Sequence, residues 1–170
     1  MKFEKVSKKE FVNICKKYMN EGKMANIFSE GFEKDYEDLR IPKQGTKLSA
    51  GMDFFAPFSA VIFPDETITK PTRIRWDSSE HADKVLLMVP RSGLGFKTGL
   101  RLMNTIGVID ADYCKADNEG HIIVKMYNPS DKPVNIGKGT AFVQGVIVQY
   151  YICEGSESDD ARNGGFGSTD

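Results

Sequence analysis

Residues 121–151 read HIIVKMYNPSDKPVNIGKGTAFVQGVIVQYY, and this stretch decides the fold. Its ends, 122–127 and 141–151, are apolar runs rich in the β-branched and aromatic residues that suit a pleated, half-buried surface. Between them Asn, Pro, Asp and Gly punctuate the chain, as they do around turns. Working outward, similar short runs lie at 52–55, 61–63, 85–89 and 100–103. Many short strands with few intervening helical segments predict an all-β protein, a jelly-roll or similar double sheet, and disfavour a parallel α/β sheet.

All seven prolines lie after residue 41, which separates a leading part from this punctuated part. The leading part predicts an amphipathic helix. Ser7 and Glu10 form an S-x-x-E capping box, Phe11, Ile14, Cys15 and Tyr18 recur at helical spacing, and Gly22 is the stop. Residues 27–40 predict a second, weaker helix, and 74–82 read as an insert. The expected organisation is a helical extension at 1–41, a β-domain at 42–153 and a mobile tail at 154–170, whose sequence is nearly devoid of apolar residues apart from Phe166.

The 170 residues make one domain's worth of chain, and a net charge of −1 supplies no global field for a nucleic-acid backbone. A mean hydropathy of −0.38 and apolar stretches far shorter than the ~20 residues of a span predict a protein with no membrane partner. The charged start lacks the apolar core of a secretory signal, and three widely spaced cysteines form no CxxC pair, which together predict a reduced, cytoplasmic protein. His81 and His121 are too few and too scattered for a zinc site. The 93–98 segment is not a Walker loop, because Phe96 stands where the glycine before the lysine belongs, and 110–121 is not a calcium loop, because Lys115 replaces the turn glycine.

What remains is a series of islands. Ser49-Ala-Gly51-Met-Asp53-Phe-Phe55 starts a strand with one carboxylate. Pro90-Arg91-Ser92-Gly93-Leu94 sets a cation and a hydroxyl beside a glycine, a combination suited to an anion but equally to a tight turn. Asn104, followed by Gly107-Val-Ile109-Asp110-Ala-Asp112-Tyr113, offers an amide, a carboxylate and an aromatic ring that suit base reading, general-base chemistry and stacking; a polar hairpin end is the plain alternative. Gln144 is the one polar residue entering a buried strand. The tail carries Arg162, Phe166, Gly167, Ser168 and Thr169, composition suited to a lid that closes by stacking.

In this order and spacing, PRSGL, GVIDADY and GGFGST with their companions closely resemble the five motifs of the trimeric dUTP pyrophosphatases (dUTPases), from about Leu48 to the last residue. The resemblance implies a distorted jelly-roll barrel, a homotrimer with sites shared between subunits, and Mg2+-assisted hydrolysis of dUTP to dUMP and pyrophosphate. That reaction limits uracil in DNA and supplies dUMP for dTMP synthesis. It implies that Asp110 activates the attacking water, that Asn104, Gly107, Ile109, Tyr113 and Phe166 hold uracil and deoxyribose, and that Arg91, Ser92, Gly93, Gln144, Arg162, Gly167, Ser168 and Thr169 hold the phosphates. Asp53 would meet the metal through water. Ala161 stands where the family's tail arginine is usual, with Arg162 one position later, and the turn after Tyr113 is longer than usual. The related dCTP deaminases place a catalytic glutamate where this chain has Lys125, which cannot shuttle protons at neutral pH. A regulatory protein on the same fold is the other alternative.

Overall fold

The computed structural model describes residues 1–20 and 31–155. The expected helix stop at Gly22, the start of the second helix at 27 and the tail residues Arg162, Phe166, Gly167, Ser168 and Thr169 lie outside the described residues. In chain order the elements are β1 (Lys2–Lys5), α1 (Lys8–Asn20), α2 (Phe32–Glu37), β2 (Lys43–Gln44), β3 (Met52–Phe55), β4 (Ala60–Ile62), β5 (Thr67–Asp77), β6 (Lys84–Pro90), α3 (Ser92–Thr98), β7 (Arg101–Leu102), β8 (Gly107–Ile109), a 3-10 turn (Ala111–Lys115), β9 (His121–Tyr127), β10 (Val134–Ile136) and β11 (Ala141–Gln149).

The strands form an antiparallel double sheet. One sheet has the order β1-β5-β9-β7, the other β2-β3-β11-β6-β8, and β4 pairs with β10. Alternate residues of both sheets face one core. Phe54, Leu86, Met88 and Phe142 from one sheet meet Ile74, Trp76, Ile122, Val124 and Met126 from the other, all at 4 % exposure or less. This is the all-β jelly roll that the short-strand pattern predicts.

Of the residues read as an insert, 74–77 are part of a core strand, while 78–82 belong to the connection from β5 to β6. Ile74 and Trp76 are buried core residues of β5, the longest strand, paired with β1 on one side and β9 on the other. Its sequence, TITKPTRIRWD, hides the strand because Pro71 and two arginines interrupt the apolar alternation. A bulge accommodates them: the register with β9 shifts between Pro71 and Arg75, and Arg73 adopts a left-handed φ of 65°. Thr72 Oγ1 donates to the Ile122 carbonyl at 2.7 Å and so covers part of the broken ladder.

The leading segment is fastened to this bulge. β1 adds a strand to the edge of β5, which the sequence pattern did not predict, and α1 follows it. Half of the capping box forms, with Ser7 Oγ accepting the Glu10 N–H at 3.1 Å. The reciprocal half comes from elsewhere: Glu119 accepts the Ser7 N–H at 2.9 Å and the Ser7 hydroxyl at 2.6 Å. That leaves the Glu10 carboxylate to accept from His121 Nδ1 at 3.1 Å, while His121 Nε2 accepts the Arg73 N–H at 2.9 Å. With one ring nitrogen donating and the other accepting, His121 is held as a single neutral tautomer. Beside it Val6, Phe11, Ile14 and Cys15 form a second apolar cluster, and the buried Arg73 guanidinium lies 4.4 Å from the centre of the Phe11 ring.

Burial holds His121 below the ordinary imidazole value, opposed by the Glu10 hydrogen bond and reinforced by the Arg73 charge. The unfolded chain therefore takes up a proton first as pH falls. The stability His121 confers is complete above about pH 6.5 and is lost as pH drops through the lower folded value. Melting temperatures measured from pH 7.5 to 5 will fall more steeply for the wild type than for His121→Gln, which keeps a donor and an acceptor but cannot titrate; parallel curves would contradict this.

Candidate active site

β11 runs between β3 and β6, and its register brings three islands together. Gln144 lies opposite Asp53 on β3 and opposite Val89 on β6, one residue from the Pro90-Arg91 corner. Arg91 Nε donates to Asp53 Oδ1 at 3.2 Å, and Gln144 Nε2 donates to the Pro90 carbonyl at 3.3 Å. The Asp53 side chain is 14 % exposed against 47 % for Arg91, so the carboxylate sits behind and the guanidinium in front. Ser92 and Gly93 open α3 immediately afterwards. A Cβ on Gly93 would meet nothing within 4 Å, so nothing within the described chain requires glycine there and the space beside it is open. Gly51 behaves oppositely: a Cβ there would lie 2.3 Å from Gln144 Oε1. Gly51 thus gives the Gln144 amide its place, a role that was legible only once the strands were paired.

The second cluster is the turn between β7, which pairs with β9 at the edge of one sheet, and β8, which pairs with β6 at the edge of the other. Asn104 stands in this turn, where Thr105 takes a left-handed φ of 65° and the Asn104 carbonyl accepts the Ile106 N–H at 2.6 Å. Gly107 pairs with Met88, and a Cβ on it would approach the Met88 Cβ to 3.1 Å. A cavity of about 450 Å³ opens here, with Asn104, Gly107 and Ile109 in its wall together with Met88, Lys125 and Lys17 of α1. Neither lysine was among the expected site residues, because nothing in the local sequence distinguishes them from solvated charges. Asp110 follows Ile109, is exposed, and starts the 3-10 turn by accepting the Tyr113 N–H at 3.1 Å.

The long turn after Tyr113 has a structural job. Tyr113 is 4 % exposed; its hydroxyl donates to the His121 carbonyl at 3.0 Å and accepts from Asn118 Nδ2 at 2.9 Å. Only a small edge of the ring is open to a ligand in the single chain. Gly120 closes the turn at φ 73°, with the place of its missing Cβ only 2.7 Å from Cys114 Cα and 2.8 Å from the Tyr113 carbonyl.

The two clusters do not meet within one chain. Ile109, the neighbour of Asp110, is paired with Leu86, whereas Arg91 lies beyond the opposite end of β6. Five residues of strand separate those positions, roughly 17 Å at ~3.3 Å per residue. Among the described residues no group of three His, Cys, Asp or Glu side chains could hold a metal ion. One cluster offers a cation, an amide and a carboxylate to a polar anion; the other offers a roomy, mostly apolar cavity with an amide to a planar ring.

Fold and clusters together define a class of all-β jelly-roll protein that carries an Arg91–Asp53–Gln144 corner and, apart from it, a mostly apolar cavity with an amide in its wall. Comparison with known proteins gives that class its family. The dUTPase family model matches residues 37–170. A deoxyuridine 5'-triphosphate nucleotidohydrolase from Lactococcus lactis is 41 % identical over 134 residues, 77 % of this chain and 88 % of that one. The crystal structure of a dUTPase from Streptococcus mutans superposes with a TM-score of 0.60 at 34 % identity, covering 68 % of this chain and 89 % of that one. A mutant dUTPase from phage phi11 of Staphylococcus aureus, described as revealing the coordination of a structural Mg(II) ion, shares the fold at a TM-score of 0.58 and 23 % identity, covering 73 % of this chain and 92 % of that one. The chain belongs to the dUTPase family.

Gly120→Ala combines an unfavourable φ with a clash against backbone and is expected to cost roughly 1–3 kcal/mol. Urea unfolding with tyrosine and tryptophan fluorescence measures it, and a midpoint equal to the wild type's would contradict the assignment.

Proposed function

We propose that the protein hydrolyses dUTP to dUMP and pyrophosphate. The observation that carries this reading is the ordered set of family motifs on a chain whose family match extends through its last residue. In-line attack of water on the α-phosphorus is chiefly a matter of positioning and charge stabilisation, so a single well-placed carboxylate suffices as base. Asp110 orients the water and accepts its proton. Asn104, Gly107 and Ile109 receive the uracil in the cavity beside the β7–β8 turn, and the edge of Tyr113 meets the deoxyribose and leaves no room for a 2′-hydroxyl. Arg91, Ser92, Gly93 and Gln144 hold the phosphates. In the tail, Phe166 covers the base while Arg162, Gly167, Ser168 and Thr169 close on the outer phosphates.

The residues around Asp53 fit Mg2+. A hard cation that keeps several waters and binds mainly through substrate phosphates needs one nearby carboxylate, not a cage, and Asp53 with the Gln144 amide beside it is such a donor set. Bound there with the triphosphate, the ion would neutralise charge that develops on the phosphate oxygens. Arg91 steadies Asp53 and presents its remaining N–H groups to the anion.

A homotrimer with shared sites is part of the proposal. The separation of Asp110 from Arg91 along β6 supports it, since one chain cannot bring its own base to a phosphate held by its own Arg91. We also place the protein in the cytoplasm; its three widely spaced cysteines form no CxxC pair, which suits a reducing compartment.

Purified protein incubated with Mg2+ and each nucleotide will release pyrophosphate from dUTP but hardly from UTP, dCTP or dTTP; ammonia from dCTP would instead show a deaminase. Asp110→Asn will retain dUTP binding by calorimetry while turnover falls by orders of magnitude, and unchanged turnover would remove Asp110 from the role of base. Truncation before Arg162 will cripple turnover without changing the solution mass, and a truncated enzyme at full rate would refute the lid.

A further inference from the structure

The family match begins at residue 37, so β1 and α1 lie outside it. Yet α1 is laid along β9 residue by residue. The outward face of β9 presents His121, Ile123 and Lys125, at the strand period of two. The facing stripe of α1 presents Glu10, Ile14 and Lys17, at the helical i, i+4, i+7 spacing. Glu10 accepts from His121, Ile14 and Ile123 share the second apolar cluster, and Lys17 and Lys125 both line the cavity with Asn104. The hydrogen bond to the neutral His121 ring and the apolar contact therefore fix the helix so that its next turn delivers a cation to the cavity wall.

Two ammonium groups at one cavity repel each other, and no carboxylate lines that cavity among the described residues to offset them. Ammonium groups donate hydrogen bonds and accept none. Apart from Thr69 and Asn104, the rest of the lining is apolar or glycine. Such a wall is complementary to a ring that offers carbonyl oxygens and hostile to one that presents an exocyclic amine. We propose that Lys17, carried in by the N-terminal extension and acting with Lys125, is a specificity-determining residue of the nucleoside cavity that favours the carbonyl-bearing pyrimidine over its 4-amino counterpart. This rests on the reading above that the cavity beside Asn104 receives the base.

The test uses the full-length protein with Lys17→Met, which keeps the stem and removes the charge, and Lys17→Arg, which keeps the charge. For dUTP, Lys17→Met should raise KM about three- to tenfold, the worth of a hydrogen bond to a partly solvated group, with a smaller change in kcat. The dUTP-to-dCTP ratio of kcat/KM should narrow, the thermal shift produced by dUMP should shrink, and Lys17→Arg should restore all three. Removing one of two like charges from the cavity wall should leave the ligand-free melting temperature level or higher. Wild-type KM and dUMP shift in Lys17→Met would overturn the inference, as would a KM increase accompanied by a lowered ligand-free melting temperature, which would mark Lys17 as packing support. A wild-type protein inert toward dUTP would instead overturn the functional reading on which it rests.

Discussion

The register of β11 between β3 and β6 is the constraint on which the site depends. Because Gln144 is opposite Asp53 on one side and Val89 on the other, residues more than ninety positions apart in sequence share one corner. The pairing also sets where glycine is required. A Cβ at Gly145 would lie 2.7 Å from the Leu86 side chain and 3.0 Å from Phe54, so the middle of the site-bearing strand must be bare for the core to close beneath it. The same strand thus seals the core on one face and holds Gln144 against Gly51 at the surface. Slipping β11 by one residue would exchange these faces and destroy core and corner together.

A second, smaller constraint attaches the extension. The bulge at Arg73 leaves a main-chain N–H that the β5–β9 ladder does not satisfy, and His121 satisfies it while holding Glu10 with its other nitrogen. Glu119 fastens the same helix through Ser7. Hydrogen bonds of this buried kind contribute modestly when made and cost more when broken, so the joint resists piecemeal loosening. The arrangement converts an irregularity in one strand into the socket for a helix that reaches the cavity beside Asn104.

Much of this was legible in the sequence, and the rest was not for identifiable reasons. The runs at 52–55, 85–89 and 122–127 alternate or stay apolar, and each corresponds to a strand. β5 was hidden because its bulge places Arg73 and Pro71 among the apolar residues, and β1 because KFEK carries too few apolar residues to mark an edge strand. Asp53, Arg91 and Gln144 were named as separate islands, and only strand pairing makes them one corner. Asn104, Gly107, Ile109 and Asp110 were visible as one polar segment, although the hairpin expected there is a turn between strands of different sheets. Lys17 could not be found at all, since its meaning arises from a helix docked on a strand more than a hundred residues away.

Within one chain the Arg91 corner and the Asn104–Asp110 segment stand apart along β6. If function requires both, copies must share them, and complementation tests this most directly. Arg91→Ala and Asp110→Asn are each expected to be nearly inactive toward dUTP as pure proteins. Unfolded together and refolded as a mixture, they will form some sites that combine an intact Arg91 corner from one subunit with an intact Asp110 segment from another. The account predicts that the mixture recovers pyrophosphate release well above either parent. A refolded mixture that has exchanged subunits and remains as inactive as its parents would contradict it.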